Sequence, residues 1–134
     1  MLSRKSVEMP GRTEITPEQL DTYRAALRER DAAERRELER RRERAWDTAR
    51  HAADLLRAHF GASKILAFGS LAHGYWFTQT SDIDMAAWGI KSKEYFLAVA
   101  KVQDVSPEIK IDLVRMEDCT PELRESILKD GKSL

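Results

Sequence analysis

One cysteine in 134 residues, Cys119, has no partner within the chain, so no internal disulfide staples this protein. That usage suits a reducing, cytoplasmic setting, and without a His partner nearby in sequence the thiol reads as inert. Apolar runs are short: none approaches the roughly 20 residues that span a bilayer, and nothing has the form of a signal peptide. An excess of one charge is missing too. The 23 basic and 23 acidic side chains cancel, so no global field draws the chain to nucleic acid or to an anionic membrane. Glycine and proline are absent between Glu18 and Phe60, which removes the usual helix stops from that interval. The 42% hydrophobic content is enough for one domain with a modest core.

Chemistry concentrates in three short stretches. The apolar run Ile65 to Phe68 leads into Gly69-Ser70, which predicts a strand ending in a turn with free N–H groups and a hydroxyl, suited to a phosphate. Eleven residues after Ser70 comes Ser81, opening Ser81-Asp82-Ile83-Asp84. Side chains alternate in an extended segment, so Asp82 and Asp84 share one face while Ile83 and Met85 enter a core. A third acid, Asp112, stands in the strand-like run Lys110 to Val114, a strand that could neighbour the first pair. Crowded carboxylates repel, which raises their pKa values unless cations neutralise them. Few hard oxygen ligands, completed by water and substrate phosphate, suit Mg²⁺, and two such ions would clamp an in-line phosphoryl displacement.

Gly69-Ser70, Asp82-Ile83-Asp84 and the later Asp112 resemble the DNA polymerase beta type nucleotidyltransferase superfamily, above all its minimal nucleotidyltransferase (MNT) branch. The likeness covers about Lys64 to Leu134 and includes the phrasing SDIDMAAWGI and IKIDLV…LRESILKDG. It implies that Asp82 and Asp84 hold two Mg²⁺ ions, and that Asp112 completes the catalytic metal site and orients or deprotonates the acceptor hydroxyl. Gly69 and Ser70 would bind the triphosphate of ATP, with Ser81 at the nucleotide site or fixing the turn before Asp82. Two departures from the branch are visible. The Ser70–Asp82 connection is one residue longer than usual, and His73 stands where an arginine is common, to assist the triphosphate or to lie on a helix surface.

MNT proteins are often antitoxins paired with a HEPN-domain ribonuclease toxin, and the resemblance implies transfer of AMP from ATP to a tyrosine hydroxyl of that partner. The chain has no room for an acceptor-binding domain, so the acceptor must come from elsewhere. A non-catalytic binding module that masks its partner through a helical arm is the alternative reading; transfer to a small molecule or an RNA end is less favoured.

Around these motifs the sequence predicts an α/β (α+β) fold, a small mixed β-sheet backed by helices with a long N-terminal helix. Residues 1–16 read as a flexible lead-in. Thr16 as N-cap, Pro17 and Gln19 open a helix over 17–60 that Gly61 ends, around 65 Å if continuous. Residues 61–134 form the nucleotidyltransferase domain. Within the helix, Leu20, Tyr23 and Leu27 make a small stripe that, with Leu38, is suited to homo- or hetero-oligomer contact, and Ala45, Trp46, Ala49, Ala52, Ala53, Leu56 and Phe60 make a face for the sheet. Arg40 to Arg42 and Arg44, interleaved with Glu37, Glu39 and Glu43, read as a solvated face rather than a nucleic-acid patch. A strand over 83–88, a helix over 92–102 with Tyr95, Phe96, Val99 and Val102 at helical spacing, a strand over 109–114 and a last helix from Thr120 to Gly131 complete the layout. His51 and His59 are expected on the surface, Trp88 in the sheet core, and Trp76 and Phe77 against a base or partner.

Overall fold

The computed structural model describes residues 14–74 and 77–134. Helix α1, Pro17–Phe60, is unbroken over 44 residues. Its start is a reciprocal capping box: the Gln19 N–H donates to Thr16 Oγ1 at 3.1 Å, and the Thr16 N–H donates to Gln19 Oε1 at 2.9 Å. Its end is Gly61 at φ 70, a conformation that costs glycine little, after which the Ala62 N–H returns to the Leu56 carbonyl at 3.2 Å. The described part of α1 belongs to two compact units, with the division between Glu37 and Leu38. In the first, Tyr23 is 60% exposed and Leu20 and Leu27 are half-buried.

The second unit holds strands β1 (Lys64–Phe68), β2 (Ile83–Trp88), β3 (Ile111–Arg115) and β4 (Lys132–Ser133), in the spatial order β3-β2-β1-β4. The sheet is mixed. β1 runs antiparallel to β2 and β4, whereas β2 and β3 are parallel. The parallel pair is joined through a 3₁₀ turn, Ser92–Glu94, and helix α3, Tyr95–Gln103. Helix α2, Gly69–His73, follows β1, and helix α4, Pro121–Asp130, precedes β4. Among the described residues no helix is long and apolar enough to cross a membrane.

Alternation along the strands gives the sheet two apolar clusters. Ile65, Ile83, Met85, Ala87, Ile111 and Leu113 join Ala45, Ala49, Ala52, Ala53, Leu56 and Phe60 of α1 and Ala98 and Val102 of α3 in the larger one. The alanines recur at three- and four-residue spacing, which puts them on one side of the helix. Leu66 and Ala86 meet Met116 and Ile127 in the smaller cluster. A Cβ at Gly131 would stand 2.5 Å from the Ile127 carbonyl oxygen and 2.9 Å from Leu66 Cδ1, so the bare backbone is what lets the chain leave α4 against β1.

Several expectations are corrected here. Phe96 is 82% exposed, because Tyr95, Ala98, Val99 and Val102 make the inward stripe and Phe96 lies about 100° round the helix from Tyr95. Phe77 is buried in the larger cluster rather than free to meet a base, while Trp76 lies outside the described residues. Trp88 packs against the smaller cluster, as expected of the sheet core, but is only partly buried, with the Lys64 ammonium 5.2 Å from its ring centre. The strand expected from Ile109 starts at Ile111, since the Gln103 side chain takes the Ile109 carbonyl and the Ile111 N–H instead. His51 and His59 are exposed, as expected.

Candidate active site

Three neighbouring strand ends assemble the site. In the β1–β2 ladder Phe68 is the partner of Asp84, so Gly69 emerges directly beside that carboxylate. In the parallel β2–β3 ladder Asp84 is the partner of Asp112. Asp82, two residues earlier, falls on the same side by alternation, and all three acids are half-buried. Ile83, Met85, Ile111 and Leu113, between and beside them, are buried in the larger cluster and fix which way the acids face.

Asp84 is the electrostatic centre. Burial comes first, and the negative charges of Asp112 and Asp82 add to it, so its carboxyl is pushed up from 3.8 to about 6. Gly69 is what allows the approach: a Cβ there would lie 2.4 Å from Asp84 Oδ2, and its φ of 72 is left-handed. Asp112 also meets Lys110, whose Nζ is 3.5 Å from Asp112 Oδ1. Among the described residues no group of three or more His, Cys, Asp or Glu converges tightly enough to cage a metal. The donor chemistry nevertheless fits Mg²⁺, which binds through one or two carboxylates and draws its remaining ligands from water and substrate phosphate.

The flanking loops are tied down. Ser81 Oγ accepts from the Thr78 N–H at 2.8 Å, which closes the turn ahead of Asp82. The Gly74 N–H donates to the Ser70 carbonyl at 2.9 Å, and His73 is exposed at the end of α2. Two contacts went unforeseen: Arg41 Nη2 donates to the Ser81 carbonyl at 3.1 Å, and Arg42 Nη2 to the Leu71 carbonyl at 3.3 Å. Both arginines are half-buried, so the solvated-face expectation fails for them, while Arg40 and Arg44 are exposed. The signal was present in the spacing. Arg41 is four residues before Ala45 and Arg42 seven before Ala49, on the stripe that α1 turns to the sheet.

A hollow of about 400 Å³ lies elsewhere, lined by Leu55, His59, Phe60, Glu94, Leu97 and Lys101, without Asp82, Asp84 or Asp112. Cys119 is half-buried, and burial raises its thiol pKa, so it is a poor nucleophile.

Residues 51–134 match the family model described as polymerase beta, nucleotidyltransferase. The chain belongs to the polymerase beta nucleotidyltransferase family. The structures it is similar to carry the same fold. A mutant form of a toxin–antitoxin complex with an MntA component aligns at a TM-score of 0.54 with 26% identity, covering 64% of this chain and 70% of the other. A candidate minimal nucleotidyltransferase aligns at 0.54 with 24% identity, over 72% of this chain and 95% of that one. The MNT antitoxin complex with a tri-AMPylated HEPN toxin of Shewanella oneidensis aligns at 0.52 with 19% identity, over 66% and 70%. A comparison with curated proteins returns no match. In this chain the carboxylates lie at the start of β2, beside the glycine-serine corner.

Proposed function

We propose that this nucleotidyltransferase moves AMP from ATP to a hydroxyl of a partner protein, and that the partner is a HEPN-type toxin held in check by the modification. The observation that carries the reading is the ladder pairing of Asp84 with Asp112, with Asp82 on the same face and Gly69 against Asp84. Support for the partner comes from structures of the same fold that are toxin–antitoxin complexes, one of which holds AMP-PNP.

In this reading Asp82 and Asp84 hold two Mg²⁺ ions, with Asp112 completing the catalytic site. Bound Mg²⁺ supplies the positive charge that offsets repulsion between carboxylates and triphosphate. The Gly69-Ser70 turn receives the triphosphate, and Ser81 keeps the adjoining loop in place for the nucleotide. Asp112 orients the acceptor hydroxyl and takes its proton as the acceptor oxygen bonds to the α-phosphorus. The bond from that phosphorus to the bridging oxygen breaks on the opposite side, and pyrophosphate leaves. Residues 61–134 constitute the catalytic domain, and the chain acts in the cytoplasm.

The test is transfer of label from α-labelled ATP to a co-encoded HEPN protein in the presence of Mg²⁺, with Asp82→Ala/Asp84→Ala as control. Label that reaches the partner and vanishes in the control is the expected result. A stable complex without label would instead make the chain a binding module that masks its partner. Nucleotide incorporation without any partner protein would indicate a small-molecule or RNA acceptor.

A further inference from the structure

Two arginines outside the motif-bearing segments reach both loops of the candidate site. Arg41 and Arg42 are consecutive on α1, so their side chains leave the helix about 100° apart and diverge. Arg41 Nη2 bonds the carbonyl of Ser81, the residue before Asp82, at 3.1 Å. Arg42 Nη2 bonds the carbonyl of Leu71, two residues after Gly69, at 3.3 Å. The second guanidinium passes over Gly74, where a Cβ would meet its Nη2 at 3.1 Å. One helix thus grips the peptide that leads into two carboxylates and the turn that leads out of the glycine-serine corner.

The grip has a cost. Arg41 Nε and Arg42 Nε are both buried without a hydrogen-bond partner. A buried donor left unpaired is unfavourable, and an apolar side chain of similar length would avoid it. Two adjacent arginines kept in that condition are poorly explained as stabilising elements. They are better explained by what their other nitrogens hold, since charge-assisted bonds to backbone carbonyls are directional and stiff.

We propose that Arg41 and Arg42 are positioning residues for metal and nucleotide binding: Arg41 sets the Ser81–Asp82 peptide, and Arg42 sets the turn from Gly69 to Gly74. This rests on the nucleotide-site reading above. It assigns the helix a part in forming the site beyond covering the sheet, and it makes the two contributions separable.

Arg41→Met and Arg42→Met, with exposed Arg50→Met as control, test it in the full-length chain. Hydrogen exchange is followed over residues 69–74 and 78–84, with thermal midpoint and calorimetric affinity for Mg²⁺·ATP alongside. Arg41→Met is expected to speed exchange in 78–84 alone, and Arg42→Met in 69–74 alone. Each should weaken Mg²⁺·ATP binding about 10- to 100-fold, as loss of an orienting partner around a metal site does, while the thermal midpoint holds. Arg41→Lys and Arg42→Lys keep the charge and a single donor and should recover part of the affinity. A lowered midpoint with unchanged affinity in the folded protein, or loops that exchange as in wild type, would overturn the proposal. Loops that loosen as expected in a protein whose wild type binds no Mg²⁺·ATP would uphold the grip on the loops and count against the nucleotide reading instead.

Discussion

The two faces of strand β2 have opposite fates at its start. Ile83, Met85 and Ala87 are fully buried under α1 and α3, whereas Asp84 points the other way and meets Asp112 and the glycine corner. One face contributes folding free energy through apolar burial along its length, whereas the other holds like charges together at its start, at a cost in folding free energy, before Ala86 enters the smaller apolar cluster. The pleat links them, because a one-residue slip would exchange the two sets. Stability of the dry face is what keeps the acids crowded.

That division can be broken from either side. Met85→Ala empties the dry face and should cost about 2–5 kcal/mol in chemical denaturation, with Mg²⁺·ATP affinity of the folded fraction nearly unchanged. Gly69→Ala acts at the junction. The new Cβ would displace the Asp84 carboxylate at a left-handed φ of 72, so a loss of about 1–3 kcal/mol is expected together with loss of nucleotide binding.

Asp84→Asn should do the reverse of Met85→Ala and raise stability. The folded-state pKa of Asp84, about 6, exceeds its ordinary 3.8, so the unfolded chain gives up this proton first. Its contribution is fully present below about pH 4 and is lost as pH rises to and through 6. The shift corresponds to about 3 kcal/mol at face value; since the carboxyl is half-exposed and screened, about 1–2 kcal/mol is expected. Asp84→Asn should therefore be more stable than wild type by that amount at pH 7.5, with the gap closing towards pH 4 in denaturation curves, and should lose nucleotide transfer. The smallest effect is reserved for Phe96→Ser, on neither face, which should stay within about 0.5 kcal/mol of wild type by thermal melt.

Much of this was legible because local chemistry and periodicity agree. Thr16, Pro17, Gln19 and Gly61 bound α1 by capping alone, and alternation around Asp82 and Asp84 gave their common face before any neighbour was known. The pairing of Asp84 with Asp112 needed the parallel register of β2 and β3, which no local pattern encodes. Strand β4 was missed because Lys132-Ser133 has no strand-forming character and is extended only through its pairing with β1. Phe77 was misjudged because an aromatic residue in a polar loop resembles a ligand contact until the core that accepts it is seen. Arg41 and Arg42 were hidden by their glutamate neighbours, although they continue the alanine stripe.

The carboxylate cluster itself is most directly tested by following the Asp84 side-chain carbon through a pH titration by NMR, with and without Mg²⁺·ATP. A midpoint near 6 that falls as Mg²⁺·ATP binds is the predicted result. An ordinary midpoint near 3.8, unmoved by Mg²⁺·ATP, would contradict both the crowding of the three acids and the metal–nucleotide site built on it.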